Sequence, residues 1–196
     1  GYAFIALSSH KNEKEALKIA HLLTSHYKKY YLNNFYAGFF EKIMHKYVKK
    51  NKFDKGIKTL SEFKKYSELQ KYIANAIGLY YYKLKVYPHL KRKDYFNALT
   101  KIKKGLVLTQ YKYQTLKTIY IKTLMNLGIK YYQKKLYKKA FETYLKISKI
   151  TKNLHARKNF TIISERYIQT LSGKEKQKVH SQINTILKAW KNITPL

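Results

Sequence analysis

An all-α fold is what this sequence predicts, and three observations carry the prediction. The 196 residues contain only two prolines and seven glycines, which leaves little room for a many-stranded sheet with its turns. Apolar positions recur at helical spacing, as in Leu116, Ile119, Tyr120, Thr123, Leu124 and Leu127. Small residues recur over a longer interval: Ala16, Gly56, Ala98 and Ala140 stand 40, 42 and 42 residues apart. Small residues suit helices that approach one another closely.

The elements follow in order. Ala16, Ala20 and Leu23 mark the second helix of a first, truncated unit over 1–30. Over 33–68, Phe40, Ile43, Met44 and Tyr47 read as one helix, and Phe53, Gly56 and Leu60 as its partner. Over 70–110, Ala74, Ile77, Gly78 and Tyr81 precede Tyr95, Ala98 and Ile102, with eight extra residues between the two helices. The stretch Val86–Asp94 predicts an extended first helix, closed by Pro88 and a charged loop. Over 114–152, Leu124, Leu127-Gly128 and Tyr131 lead to Tyr137, Ala140 and Tyr144. Over 155–192, Phe160, Ile163-Ser164 and Tyr167 start a weaker copy. After Gly173, a helix carrying Val179, Ile183, Ile186, Leu187 and Trp190 is expected to cap the stack or fold back on it.

Leu124, Leu127-Gly128, Tyr131, Ala140 and Tyr144 fit the spacing of the W-x2-L-G-x2-Y…A-x3-F pattern, so the chain resembles the tetratricopeptide repeat (TPR) family. Gly128 and Ala140 would let the two helices of one hairpin approach closely, with large apolar residues filling the gaps. The resemblance implies a single TPR-like α-solenoid over 1–196, of about five antiparallel helix pairs in a right-handed superhelix, because such hairpins bury their faces only by stacking. It also implies a non-catalytic interaction module, with a partner protein or peptide in a concave groove lined by first helices. The expected lining residues are Asn34, His45, Asn75, Lys83, Asn126 and Lys130. Some family members grip a C-terminal carboxylate with Lys, Asn and Arg. Here Glu41 and Met125 stand where that clamp wants Lys or Asn, so the clamp is not expected.

Charge narrows the partner. Lys and Arg total 42 against 10 acids, a formal net charge of +32, and only Arg92, Arg157 and Arg166 are arginine. Abundant Lys, Tyr, Asn and Ile suit an AT-rich genome, but the scarcity of Glu does not follow from that bias. A field of this sign attracts acidic protein surfaces, nucleic acid or an anionic membrane face. Specific base reading favours Arg's planar fork, so a sequence-specific DNA reader is not expected. Non-specific RNA or single-stranded DNA binding through lysine and tyrosine is the alternative to a protein partner. Clusters such as Tyr80-Tyr-Tyr82 and Tyr111-Lys-Tyr113 suit base stacking, but several tyrosines, including Tyr47, Tyr81 and Tyr131, fall on core positions. Peripheral membrane association is the third expectation.

Enzyme chemistry finds no anchor in the chain. Cysteine is absent, which removes thiol catalysis, disulfides and Cys-based zinc sites. The closest histidines, His21 and His26, are five apart with no Glu between them, so the H-E-x-x-H metal signature is missing. Gly173-Lys174 lacks both the earlier Gly and the following Ser/Thr of a phosphate loop. No catalytic residue, cofactor, metal site or small-molecule substrate is expected. The chain opens on an apolar stretch, Tyr2–Leu7, rather than Met, and reads as a fragment from which an N-terminal segment was removed. With the missing cysteine, this suggests a periplasmic or membrane-associated bacterial protein.

Overall fold

A computed structural model describes residues 29–191, except 65 and 152. The expected helix at Ala16, Ala20 and Leu23 lies outside the described residues. Among the described residues the fold is all-helical, with no strand. The helices are α1 (Lys29–Lys49), α2 (Phe53–Ser61), α3 (Gln70–Tyr81), α4 (Tyr87–Lys91), α5 (Tyr95–Leu108), α6 (Gln114–Gln133), α7 (Tyr137–Ser148), α8 (Leu154–Gln169) and α9 (Gly173–Lys191). A 3-10 turn, Ser67–Leu69, leads into α3, and a π turn, Tyr82–Val86, joins α3 to α4. The described chain forms two compact units, one of residues 29–84 with 105–113, the other of 85–104 with 114–191.

In the first unit α1 supplies the apolar stripe. Tyr36, Phe39, Phe40, Ile43 and Met44 are buried at helical spacing against α2 and α3. Gly56 of α2 lies so close to α1 that an added Cβ would meet Tyr47 Cβ at 3.0 Å. Gly78 of α3 lies closer still to its neighbour: an added Cβ would run into the ring of Tyr113.

In the second unit α6, α7, α8 and α9 pack on one another in sequence. Tyr144 of α7 is fully buried, with its ring against Gly128 of α6. Its hydroxyl donates to Met125 O at 3.5 Å and accepts from Asn159 Nδ2 of α8 at 2.9 Å. One tyrosine thereby ties three helices together. The aromatic line continues through Phe141 and Phe160 to Trp190, whose ring meets Phe160 edge-on at 5.6 Å. Helix α9 therefore packs on α8.

Two local features depart from the expected pattern. Pro88 does not close the first helix of its hairpin. It sits in the first turn of α4, where its missing N–H costs no ladder bond, immediately after the π turn. The helical path ends instead at Lys91, and the chain turns through Arg92 and left-handed Lys93. The second feature is how the chain turns. Asn51, Lys93 and Lys135 all adopt left-handed backbone, with φ of 55°, 55° and 58°. At each, the next amide bonds back five residues: Lys52 to Tyr47, Asp94 to His89 and Leu136 to Tyr131, all at 2.9 Å. These turns recur at 42-residue spacing, and each is followed five residues later by buried Gly56, Ala98 or Ala140.

Candidate binding surface

Helices α1 and α3 bring a small polar cluster together in the first unit. The His45 ring lies 6.2 Å from the Tyr80 ring, and Lys83 Nζ sits 5.6 Å from the Tyr80 centroid on the same aromatic group. Burial raises the Tyr80 phenol above its ordinary pKa, and the Glu41 carboxylate adds to the shift. Glu41 precedes His45 by four residues and so shares its helix face. The cluster offers a cation, an imidazole, a phenol and a carboxylate on one exposed surface.

The other expected lining residues are placed as follows. Asn34 is exposed on α1, eleven residues before His45 and so roughly 16 Å from it along the helix axis. Asn75 is half-buried on α3, turned about 140° around that helix from Tyr80. In the second unit Asn126 and Lys130 are exposed on α6 at i,i+4 spacing, in line with exposed Lys122. Lys130 Nζ lies 5.7 Å from the Tyr95 centroid. The structure thus brings His45 and Lys83 together at Tyr80, and places Asn126 beside Lys130. It does not gather Asn34 or Asn75 into either group.

Sequence reasoning missed Glu41 and Tyr80 as members of one cluster. Glu41 stood out only as a misfit to a carboxylate clamp, and Tyr80 only as one of three successive tyrosines. A signal existed in the i,i+4 step from Glu41 to His45 and the i,i+3 step from Tyr80 to Lys83.

Helix α9 carries a second polar face. Lys176, His180, Asn184 and Lys188 recur every four residues along an open groove of about 620 Å³, with Asn184 Nδ2 3.1 Å from His180 Nδ1. The opposite side buries Val179, Ile183 and Trp190. The described lining residues all belong to this one helix.

Most clustered tyrosines serve the core. Tyr81 is buried, Tyr113 packs on Gly78, and Tyr47 and Tyr131 pack against the two apolar cores. Exposed lysines occur on every described helix, α1 to α9. No group of three or more His, Asp or Glu side chains suited to a metal ion occurs among the described residues. No described helix is long and apolar enough to cross a membrane.

These features define an all-helical protein with polar and cationic helix faces open to contact. No family model, curated protein or solved structure matches the chain.

Proposed function

We propose that this chain is a TPR-like helical repeat module, an α-solenoid of about five helix pairs that holds a partner protein without catalysing a reaction. The observation that carries the reading is the 42-residue recurrence of one turn at Asn51, Lys93 and Lys135, each followed by a buried small residue. Repetition of both a turn and a close-approach position is what a stack of similar hairpins needs. The binding role rests on the first helices. On α6, Leu116, Leu124 and Gly128 are consumed in packing, while Lys122, Asn126 and Lys130 remain exposed one helical face away. On α1, Phe40 and Met44 are consumed, while Asn34 and His45 remain exposed. Polar faces of this kind suit a partner with an acidic or mixed surface.

Capture of partners from host lysate at physiological salt, with and without nuclease, tests the reading. A stoichiometric protein that survives nuclease, and is lost with Asn126→Ala plus Lys130→Glu, is the expected result. Retention by that variant would remove the α6 face from the interface. A set of proteins that vanishes with nuclease would favour non-specific nucleic-acid binding, whose affinity should fall by decades between about 50 and 200 mM salt.

A further inference from the structure

We propose that the hairpin end formed by α4 and the start of α5 is a contact site for anionic lipid headgroups at a membrane surface. The site lies apart from the polar faces assigned to a protein partner. Phe96 is 70 % exposed and Tyr87 50 %, and between them run the exposed cations Lys91, Arg92 and Lys93. Burying such a ring in a water-excluding phase is favourable, and three exposed cations in the same turn suit a phase that is also negatively charged.

Charge makes the match specific. Between Glu68 and Glu142 the chain has a single acid, Asp94. That carboxylate is turned back onto its own hairpin: it accepts from Asn97 Nδ2 at 2.8 Å and from Asn97 N at 3.3 Å, and His89 Nδ1 lies 3.2 Å away. The Asn97 bonds, with His89 adding, hold it below the usual carboxylate range. It caps α5 and leaves the charges of Lys91, Arg92 and Lys93 facing outward. Arg92 Nε donates to Pro88 O at 3.2 Å, which anchors the stem of its guanidinium at the turn.

Three alternating features favour lipid over other anions. An anionic leaflet attracts clustered Lys and Arg, while aromatic rings settle at the headgroup boundary. Protein interface cores are depleted in lysine, yet six of the seven basic residues in 85–104 are lysine. Single-stranded nucleic acid is held along a groove with successive stacking platforms, whereas Tyr87 and Phe96 flank one exposed turn.

Cosedimentation of the full chain with vesicles of phosphatidylcholine, alone and mixed with phosphatidylserine, tests the assignment. The wild type should bind the mixed vesicles and leave the neutral ones. Phe96→Ser should weaken binding about tenfold, and Lys91→Glu plus Arg92→Glu by at least about thirtyfold. Lys138→Glu plus Lys139→Glu on α7, an equal charge change elsewhere, should alter it less than about twofold. Circular dichroism of each variant confirms that the fold is retained. No binding to mixed vesicles overturns the proposal, as does an equal loss from the α7 variant, which would reduce the effect to net charge. Tighter binding to a single-stranded oligonucleotide that Phe96→Ser weakens, with vesicle binding unchanged, also overturns it. None of these outcomes depends on partner capture through α6.

Discussion

The ring of Tyr144 covers Gly128 so closely that a Cβ on the glycine would stand 2.5 Å from Tyr144 Cε2 and 2.7 Å from Cδ2. The ring cannot swing aside, because it is fully buried and its hydroxyl is held between Met125 O and Asn159. Gly128→Ala therefore sets two effects against each other. Alanine improves helix propensity by about 1 kcal/mol, while overpacking costs about 1–3 kcal/mol. Urea denaturation should show net destabilisation of up to about 2 kcal/mol. In a Tyr144→Leu background, where the ring no longer covers the glycine, the same Gly128→Ala change should cost less.

Lys93 and Lys135 hold left-handed backbone, with φ of 55° and 58°, where a side chain brings Cβ against the carbonyl. Lys93→Gly and Lys135→Gly should each stabilise the protein by about 0.5–1 kcal/mol, read from the thermal midpoint. Gly173 is the reciprocal case. It has φ of 55° in open space, so Gly173→Ala should destabilise through the backbone alone, by about 1 kcal/mol.

Tyr36 is 4 % exposed, and its hydroxyl finds no hydrogen-bond partner among the described residues. Removing an unsatisfied buried hydroxyl removes a desolvation cost, so Tyr36→Phe should leave stability unchanged or raise it by about 1 kcal/mol. Ser164, 1 % exposed and likewise without a partner among the described residues, should behave the same way as Ser164→Ala. A loss of more than about 1 kcal/mol in either variant would reveal a hydrogen bond.

Alkaline stability offers a separate test of the Tyr36 environment. Burial pushes the phenol up to about 12, with Glu68 and Tyr72 adding to the shift. The neutral phenol is the form that fits the folded core. Its stabilisation is fully present below the unfolded-state value of about 10 and is lost as pH rises through about 12. For this buried group the loss is on the order of 2 kcal/mol. Tyr36→Phe should flatten the fall in unfolding free energy between about pH 10 and 12 relative to wild type.

Asn153 caps α8, its Oδ1 accepting from His155 N at 2.8 Å and Ala156 N at 3.3 Å. Asn153→Ala should cost about 1 kcal/mol, and Asn153→Asp should retain most of the cap.

Much of the helical content was legible because it is local. The spacings Phe40–Ile43–Met44–Tyr47 and Phe160–Ile163–Ser164–Tyr167 place their residues on one helical face wherever the helix lies, and those faces are packed. The turns were less legible. No glycine marks Lys93 or Lys135, and Pro88 reads as a stop until a π turn widens the helix before it. The polar cluster was hardest to read. His45 and Tyr80 are 35 residues apart, and their meeting depends on how α1 lies against α3.

The sequence by itself determined that the described chain is helical and that Gly56, Ala98, Gly128 and Ala140 are buried in it. Side-chain size and period are properties of neighbouring residues and need no knowledge of the fold. Only the tertiary structure decided that Tyr144 would span α6 and α8, that Tyr80 would gather His45 and Lys83, and that Phe96 would remain in water beside Lys91 and Arg92. Those outcomes depend on which face of one helix meets which face of another. That choice is set by the packing of the whole unit, not by any short stretch of chain.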